Sequence, residues 1–220
     1  MQVVSVKNLL TSTFLLVALF FSSGLEGARA KPAPSKKALI VLDPGHGGFA
    51  LGAHVGKIRE KTLALKTAQK VQKLLRQKGY RVVMTRTNDT FIALEKRAKI
   101  ANRTKCTLFV SIHYNAHHDA SVKGLEVFYY KKGNKWRAKR SKKAAEKVLG
   151  RLVKKTHGYS RGIKHGNFHV LRETTMPAIL VEGGFITHDK ERSQLAQDSH
   201  LNHIAEAIVA GIEAYFASTK

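Results

Sequence analysis

Apolar positions along the chain follow two alternating rhythms. Short runs rich in Val, Ile and aromatic residues occur at 38–42, 80–84, 108–112, 125–130, 168–171 and 178–182, and they predict six strands. Between them the apolar residues take helical spacing. Ala64, Ala68, Val71 and Leu75 form one stripe, and Phe91, Leu94, Ala98 and Ala101 form a second. Ala145, Leu149, Leu152 and Val153 mark a third helix. Leu201, Ile204, Ala205, Ile208 and Ile212 mark a fourth, with the clearest 3.6-residue period. This alternation predicts an α/β fold: one domain with a central, mostly parallel, mixed six-stranded sheet flanked by helices on both faces. The run at 125–130 follows its predecessor without an intervening helix, so it is expected to be antiparallel.

Residues 1–30 read as a secretory signal peptide. Lys7 opens it, residues 14–21 are its apolar stretch, and Ala28-Arg29-Ala30 is a small-x-small cleavage site. The stretch is shorter than the roughly 20 residues that span a bilayer, so cleavage after Ala30 is expected rather than a stable membrane anchor. Residues 31–37 form a short linker, and 38–220 the folded domain.

Charge adds a partner class. The chain carries 39 Lys and Arg against 15 Asp and Glu, a net charge of +24. Removing residues 1–30 takes away Lys7, Glu26 and Arg29 and leaves +23. An excess this large implies a polyanionic partner and says nothing of the fold. Export, to the periplasm or cell exterior, points to anionic cell-envelope polymers and away from specific nucleic acid. The basic run at 131–143 is expected to be mainly a solvated helix face. Cys106, the only cysteine, has no disulfide partner in the chain and opens the apolar run CTLFVSI. A buried, inert thiol is expected there.

Ligand sites in parallel sheets form beyond the carboxyl ends of the strands. Three reactive side chains fall at such ends: His46 after the turn DPG, His113 closing LFVSIH, and Glu182 closing AILVE. Glu60 starts the first helix, where the chain returns to the same edge. Each has an ordinary alternative, such as a hydrogen-bonded rim histidine or a carboxylate favoured by a helix dipole. Together they are more specific. Two His and one carboxylate make the open zinc set of hydrolases, and a second glutamate, outside the set, would be the general base. Rival spacings are weaker. His113 and His117, like His165 and His169, stand four apart, but both pairs lie in apparent strands or strand entries, and no HExxH occurs. Ser111 and Ser121 lack a G-x-S-x-G elbow.

Several blocks together resemble the zinc-dependent N-acetylmuramoyl-L-alanine amidases: VLDPGHGG, REKTLAL, TRTNDTFIALEKRAKIAN, LFVSIHYNAH and RGIKHGNFHVLRETTMPAILVEGGF. The likeness runs in order from about Ala38 to the C-terminal helix. It implies one zinc ion held by His46, Glu60 and His113, with Glu182 as the catalytic acid and base. It further implies hydrolysis of the amide between N-acetylmuramic acid and L-alanine in peptidoglycan. Two positions depart from the family. Tyr114 stands where a small residue is frequent and is expected to narrow the cleft; His188 stands in GFITH, where Asn often follows GF. Gly47 and Gly48 are expected to keep the backbone thin beside metal and substrate. Some relatives carry an inserted helix that blocks the metal until a partner removes it. Here one ordinary helix uses most of 131–167, so no strict need for an activator protein is expected. Two rival readings are a zinc peptidase acting within the stem peptide and an exported, basic polyanion-binding protein.

Overall fold

Apolar residues that bury both faces of the central strands build one sheet with a helical layer on each side. The computed structural model describes residues 38–219; the expected signal peptide and linker lie outside them. The elements are β1 (Leu39–Pro44), β2 (His54–Val55), β3 (Ile58–Arg59), α1 (Glu60–Gln77), β4 (Arg81–Met84), α2 (Leu94–Thr104) and β5 (Leu108–Asn115). They continue with β6 (Leu125–Tyr129), α3 (Lys135–Thr156), β7 (Ser160–His165), α4 (His169–Arg172), β8 (Ala178–Phe185), α5 (Asp189–Leu195) and α6 (Asp198–Ala217). Six strands form the main sheet in the order β4-β1-β5-β8-β6-β7. β4, β1, β5 and β8 are mutually parallel. β6 pairs antiparallel with β8, as its missing helix predicts, and parallel with β7.

Successive strand residues point to opposite faces, and the two cores obey that period. Ile40, Leu42, Leu108, Val110, Ile112, Ile179 and Val181 meet the buried stripes of α1, α3 and α6. Val41, Phe109, Ala178 and Leu180 meet Ala101 of α2 and Val170 and Leu171 of α4. Cys106 belongs to the second core, and burial pushes its thiol up to about 11. Among the described residues no helix is long and apolar enough to cross a membrane.

Three expectations change. Residues 168–171 are not a strand: Phe168 precedes the one-turn helix α4, whose Val170 and Leu171 are buried. The sixth strand is β7, SRGIKH, an edge strand of mostly half-exposed residues. An edge strand needs no apolar residues on both faces, so it left no run to read. Second, α2 begins only at Leu94, so Phe91 and Leu94 stay 40% and 52% exposed while Ala98 and Ala101 are buried. Third, the run at 131–143 is not wholly solvated. Arg137 is buried, and its guanidinium donates to the carbonyls of Leu171 and Arg172 at the end of α4 and of Thr174 just beyond it.

The turn after β1 is held by two buried guanidinium groups. Arg97 donates to the carbonyls of Pro44 (2.6 Å), His46 (2.6 Å) and Ile92 (2.8 Å). Arg86 donates to those of Pro44 (3.0 Å), Gly45 (2.6 Å) and Lys61 (2.8 Å). Asp43, 1% exposed, is the counter-ion: it accepts from Arg97 at 2.8 Å, from Thr85 at 2.6 Å and from Ser111 at 2.8 Å. Burial first, and the neighbouring Arg97 next, push the Arg86 guanidinium down to about 10, which leaves it charged at neutral pH. Removing one partner of a buried pair strands the other charge at a cost of about 3–5 kcal/mol. Asp43→Asn is therefore expected to destabilise the protein by about 3 kcal/mol or more, measured by denaturant unfolding. A change within about 0.5 kcal/mol, usual for a surface site, would show that Asp43 is not the counter-ion that matters.

Candidate metal centre

His46, Glu60 and His113 reach one point at the carboxyl rim from three different elements. His46 follows β1 and adopts a left-handed backbone (φ 59°), a costly state for a non-glycine residue that the Arg97 bond to its carbonyl helps to hold. Glu60 is the first residue of α1, and its amide donates to the carbonyl of Ala53 at 2.8 Å. His113 lies on the central strand β5. One oxygen, Glu60 Oε1, sits 2.9 Å from His46 Nε2 and 2.7 Å from His113 Nδ1. The other, Oε2, accepts from the Ala53 amide at 2.8 Å. One donor atom from each of the three side chains lies within 4.8 Å of the others.

The electrostatics suit a cation. Burial alone would raise the Glu60 carboxyl, but hydrogen bonds from His113 and His46 outweigh it and hold the group well below the usual carboxylate range. A carboxylate kept ionised between two imidazole nitrogens is the donor chemistry of an open zinc set. The backbone stays out of its way. A Cβ on Gly45 would come within 2.3 Å of the His113 ring, and one on Gly52 within 2.4 Å of Glu60 Oε2. Gly47 and Gly48 serve elsewhere than expected: a Cβ there would strike the Thr90 carbonyl at 2.3 Å and the Phe91 amide at 2.9 Å, so they admit the loop after β4.

Glu182 stands directly opposite His113 across the β5–β8 ladder, on the same sheet face. It is 8% exposed, and its Oε2 is buried without a hydrogen-bond partner. Burial first, then the charges of Glu60 and Glu126, push its carboxyl well above the ordinary range. A cleft of about 300 Å³ opens beside His46 and His113, walled by Phe91, Ile92, Leu94, Phe168 and Val170.

The remaining candidates lie outside this cluster or turn away from it. Tyr114 does not narrow the cleft. Being next to His113 on a strand, it points to the opposite face, where it is 1% exposed and shares a 2.5 Å hydrogen bond with Thr67. His188 caps α5 by accepting from the Glu191 amide at 3.2 Å. His117 and His118 lie in the loop after β5, with rings 4.1 Å apart. His165 ends β7, and His169 starts α4 and lines the cleft. Sequence reasoning missed Arg86 and Arg97, whose acceptors are distant backbone carbonyls that no motif encodes, and also Glu126. Glu126 is buried opposite Glu182 on β6, and an acid inside the apolar run LEVFY was its available signal.

A doubly covered α/β sheet thus carries at its carboxyl rim a His/Glu/His donor set that could hold a metal ion. The profile of the N-acetylmuramoyl-L-alanine amidase family matches residues 40–214, and the chain belongs to that family. It is 35% identical over 188 residues to a probable cell wall amidase, LytH, of Staphylococcus epidermidis, covering 84% of this chain. It spans 60% of the length of that relative. The crystal structure of an N-acetylmuramoyl-L-alanine amidase from Clostridium difficile 630 is 37% identical and superposes with a TM-score of 0.79, covering 84% of this chain and all of that one. CwlD of Clostridioides difficile, solved in complex with the GerS lipoprotein, is 27% identical with a TM-score of 0.78, covering 83% of this chain and 100% of that chain.

The raised Glu182 carboxyl has a consequence for stability. A group whose folded-state value lies above its unfolded one, about 4.3 for Glu, favours the fold most below that unfolded value. The contribution is lost as pH rises towards the folded value. Glu182→Gln abolishes that loss. In chelated protein, the Tm of Glu182→Gln relative to wild type is expected to climb between pH 4 and pH 8. A constant difference across that range would show that burial places no penalty on the Glu182 charge.

Proposed function

We propose that the chain is an exported zinc-dependent hydrolase that cleaves the amide between N-acetylmuramic acid and L-alanine in peptidoglycan. The observation that carries this reading is the His46–Glu60–His113 donor set beside the buried, unpartnered carboxyl of Glu182, in a member of this amidase family. His46, Glu60 and His113 would hold one zinc ion. When bound, zinc polarises a carbonyl and brings the pKa of water towards about 7. Glu182 is the acid and base: its free Oε2 takes a proton from the attacking water and passes it to the departing L-alanine amine. Water oxygen thereby bonds to the lactyl carbonyl carbon as the carbon–nitrogen bond breaks. The raised Glu182 carboxyl suits the second half of that exchange, in which it must carry a proton at neutral pH.

Two features support action without an obligatory activator. Between β6 and α4 the described chain forms only α3 and β7, and α3 packs against α6 on the other helical layer. The side chains of His46 and His113 remain 30% and 18% exposed. We assign the +23 charge of residues 31–220 to retention on anionic envelope polymers outside the cytoplasm, in keeping with the reading of residues 1–30 as an export signal.

Mass spectrometry of peptidoglycan digested by the purified chain alone is the direct test. Free stem peptides beginning with L-alanine, alongside intact glycan, are the expected products. Shortened stems still attached to glycan would make the protein a peptidase, and no product under any metal condition would leave a binding protein. Chelation should abolish turnover and zinc restore it. Glu182→Ala should retain the metal and lose about 10²–10⁴-fold in kcat, the usual contribution of acid–base catalysis. Retention on isolated walls should fall steeply between low salt and about 0.5 M salt, where the Debye length has shrunk to only a few ångströms. Retention indifferent to salt would refute the charge-based anchoring.

A further inference from the structure

A second charged cluster continues the catalytic row across the sheet. His113, Glu182 and Glu126 occupy directly opposed positions on β5, β8 and β6, so their side chains share one face. Phe128, two residues beyond Glu126, is paired with Lys164 of β7, which brings Lys164 to that face as well. Glu126 is 3% exposed and takes contacts from three directions. The Lys164 ammonium donates to Oε2, the Asn115 amide donates to Oε1 at 2.6 Å, and Arg161 Nε lies 3.5 Å from Oε2. Two cations therefore face one acid, and one positive charge is left in excess.

Both cations retain capacity. The Lys164 ammonium has three donors, one of them used by Glu126. Arg161 directs its buried Nε at Glu126 and spends one Nη on the Lys123 carbonyl at 3.4 Å, which leaves its second Nη for a ligand. The Lys164 and Arg161 side chains stay 38% and 29% exposed, and they lie over the rings of Phe128 and Phe185 at 6.0 Å and 5.2 Å. Their positions are thus set from below while their upper sides face solvent.

The direction of the reaction gives this cluster a role. Taking the amidase reading above as given, Glu182 protonates the departing amine, so the peptide leaves from the Glu182 side of His113, over β6 and β7. β7 lies two strand spacings, about 10 Å, from β8. A carboxylate on the second residue of the leaving peptide lies about 7 Å of chain from the amine, and the Lys164 side chain spans the remainder. We propose that Lys164 and Arg161, tethered by Glu126, form a subsite for a carboxylate on the second residue of the leaving peptide. The cluster selects stems by charge, and it takes no part in breaking the bond.

Two N-acetylmuramoyl dipeptides, both with the γ-carboxyl of the second residue blocked as its methylamide, provide the test: in one the α-carboxylate of that residue is free, in the other it is the neutral amide. With the zinc-loaded chain, kcat/KM is expected to favour the acid by about tenfold or more, the scale of a charge-assisted hydrogen bond, through KM. Lys164→Gln should move the KM of the acid towards that of the amide, and Lys164→Arg should recover part of the preference. Because Lys164→Gln strands Glu126, the triple variant Arg161→Gln, Lys164→Gln, Glu126→Gln removes all three charges together. Discrimination lost in that variant, at a Tm near that of wild type, supports the subsite. A purely structural cluster would shift both dipeptides alike. Equal kcat/KM for the two in wild type, or discrimination that survives in the triple variant, overturns the subsite and leaves the amidase reading standing. Should neither dipeptide be cleaved, the peptidoglycan digest decides the amidase reading, and calorimetric binding to Glu182→Gln reads the subsite instead. Tighter binding of the acid, lost with Lys164→Gln, supports it, and equal binding overturns it.

Discussion

Two buried guanidinium groups and one carboxylate hold the first corner of the candidate metal centre. Arg86 and Arg97 bind the consecutive carbonyls of Pro44, Gly45 and His46, and Asp43 neutralises Arg97 from the strand beneath. A tight turn at a strand end leaves backbone oxygens that neither sheet nor helix can satisfy, and such groups cannot stay unpaired in a buried rim. Two planar forks satisfy them, and the same bonds keep His46 in its left-handed state. The loop after β4 is fixed through the same residues, since the guanidiniums also bind Asn88, Ile92 and Lys61. Lys61, in turn, bonds the Gly48 carbonyl and Asp89, which accepts from the Gly48 amide. The His46 turn, the start of α1 and the approach to α2 are thereby one cross-linked unit.

Charge across the rim is graded by its neighbours. Glu60, between two imidazoles, stays ionised; Glu182, buried with no partner for Oε2 and acids on both sides, is pushed well above the ordinary carboxyl range; Glu126, beside two cations and an amide, is satisfied. Three glutamates within a few strand spacings therefore take three different tasks. Opposed environments that separate the behaviour of like groups are the usual mark of acid–base chemistry.

Much of the fold was legible because burial on both faces writes continuous apolar runs. β1, β5, β6 and β8 were found on that signal, β4 on its short Val-Val-Met run although it too lies at a sheet edge, and helical spacing found α1, α3 and α6. β7 was missed because an edge strand buries little, and the apolar run beside it, 168–171, proved to be a helical turn. Phe91 and Leu94 had the spacing of a core stripe but border the cleft, since α2 begins too late to carry them inward. Of the four proposed site residues, His113 and Glu182 stood out as polar groups closing apolar runs, His46 as the histidine after a strand-ending turn and Glu60 as an acid at a helix start, and the family blocks joined them. Tyr114 was misjudged because adjacency in sequence was taken for adjacency in space, whereas neighbours on a strand face opposite ways.

By itself, then, the sequence determined the strand and helix periods, the polar residues at the strand ends and the family blocks that join them, because hydrophobic burial and strand length are local properties. Only the tertiary structure decided which face each residue takes and which distant carbonyls Arg86 and Arg97 satisfy. It alone placed Glu126, Arg161 and Lys164 in line with Glu182. Those outcomes depend on pairing register between segments tens of residues apart, where a shift of one residue turns every side chain to the other face.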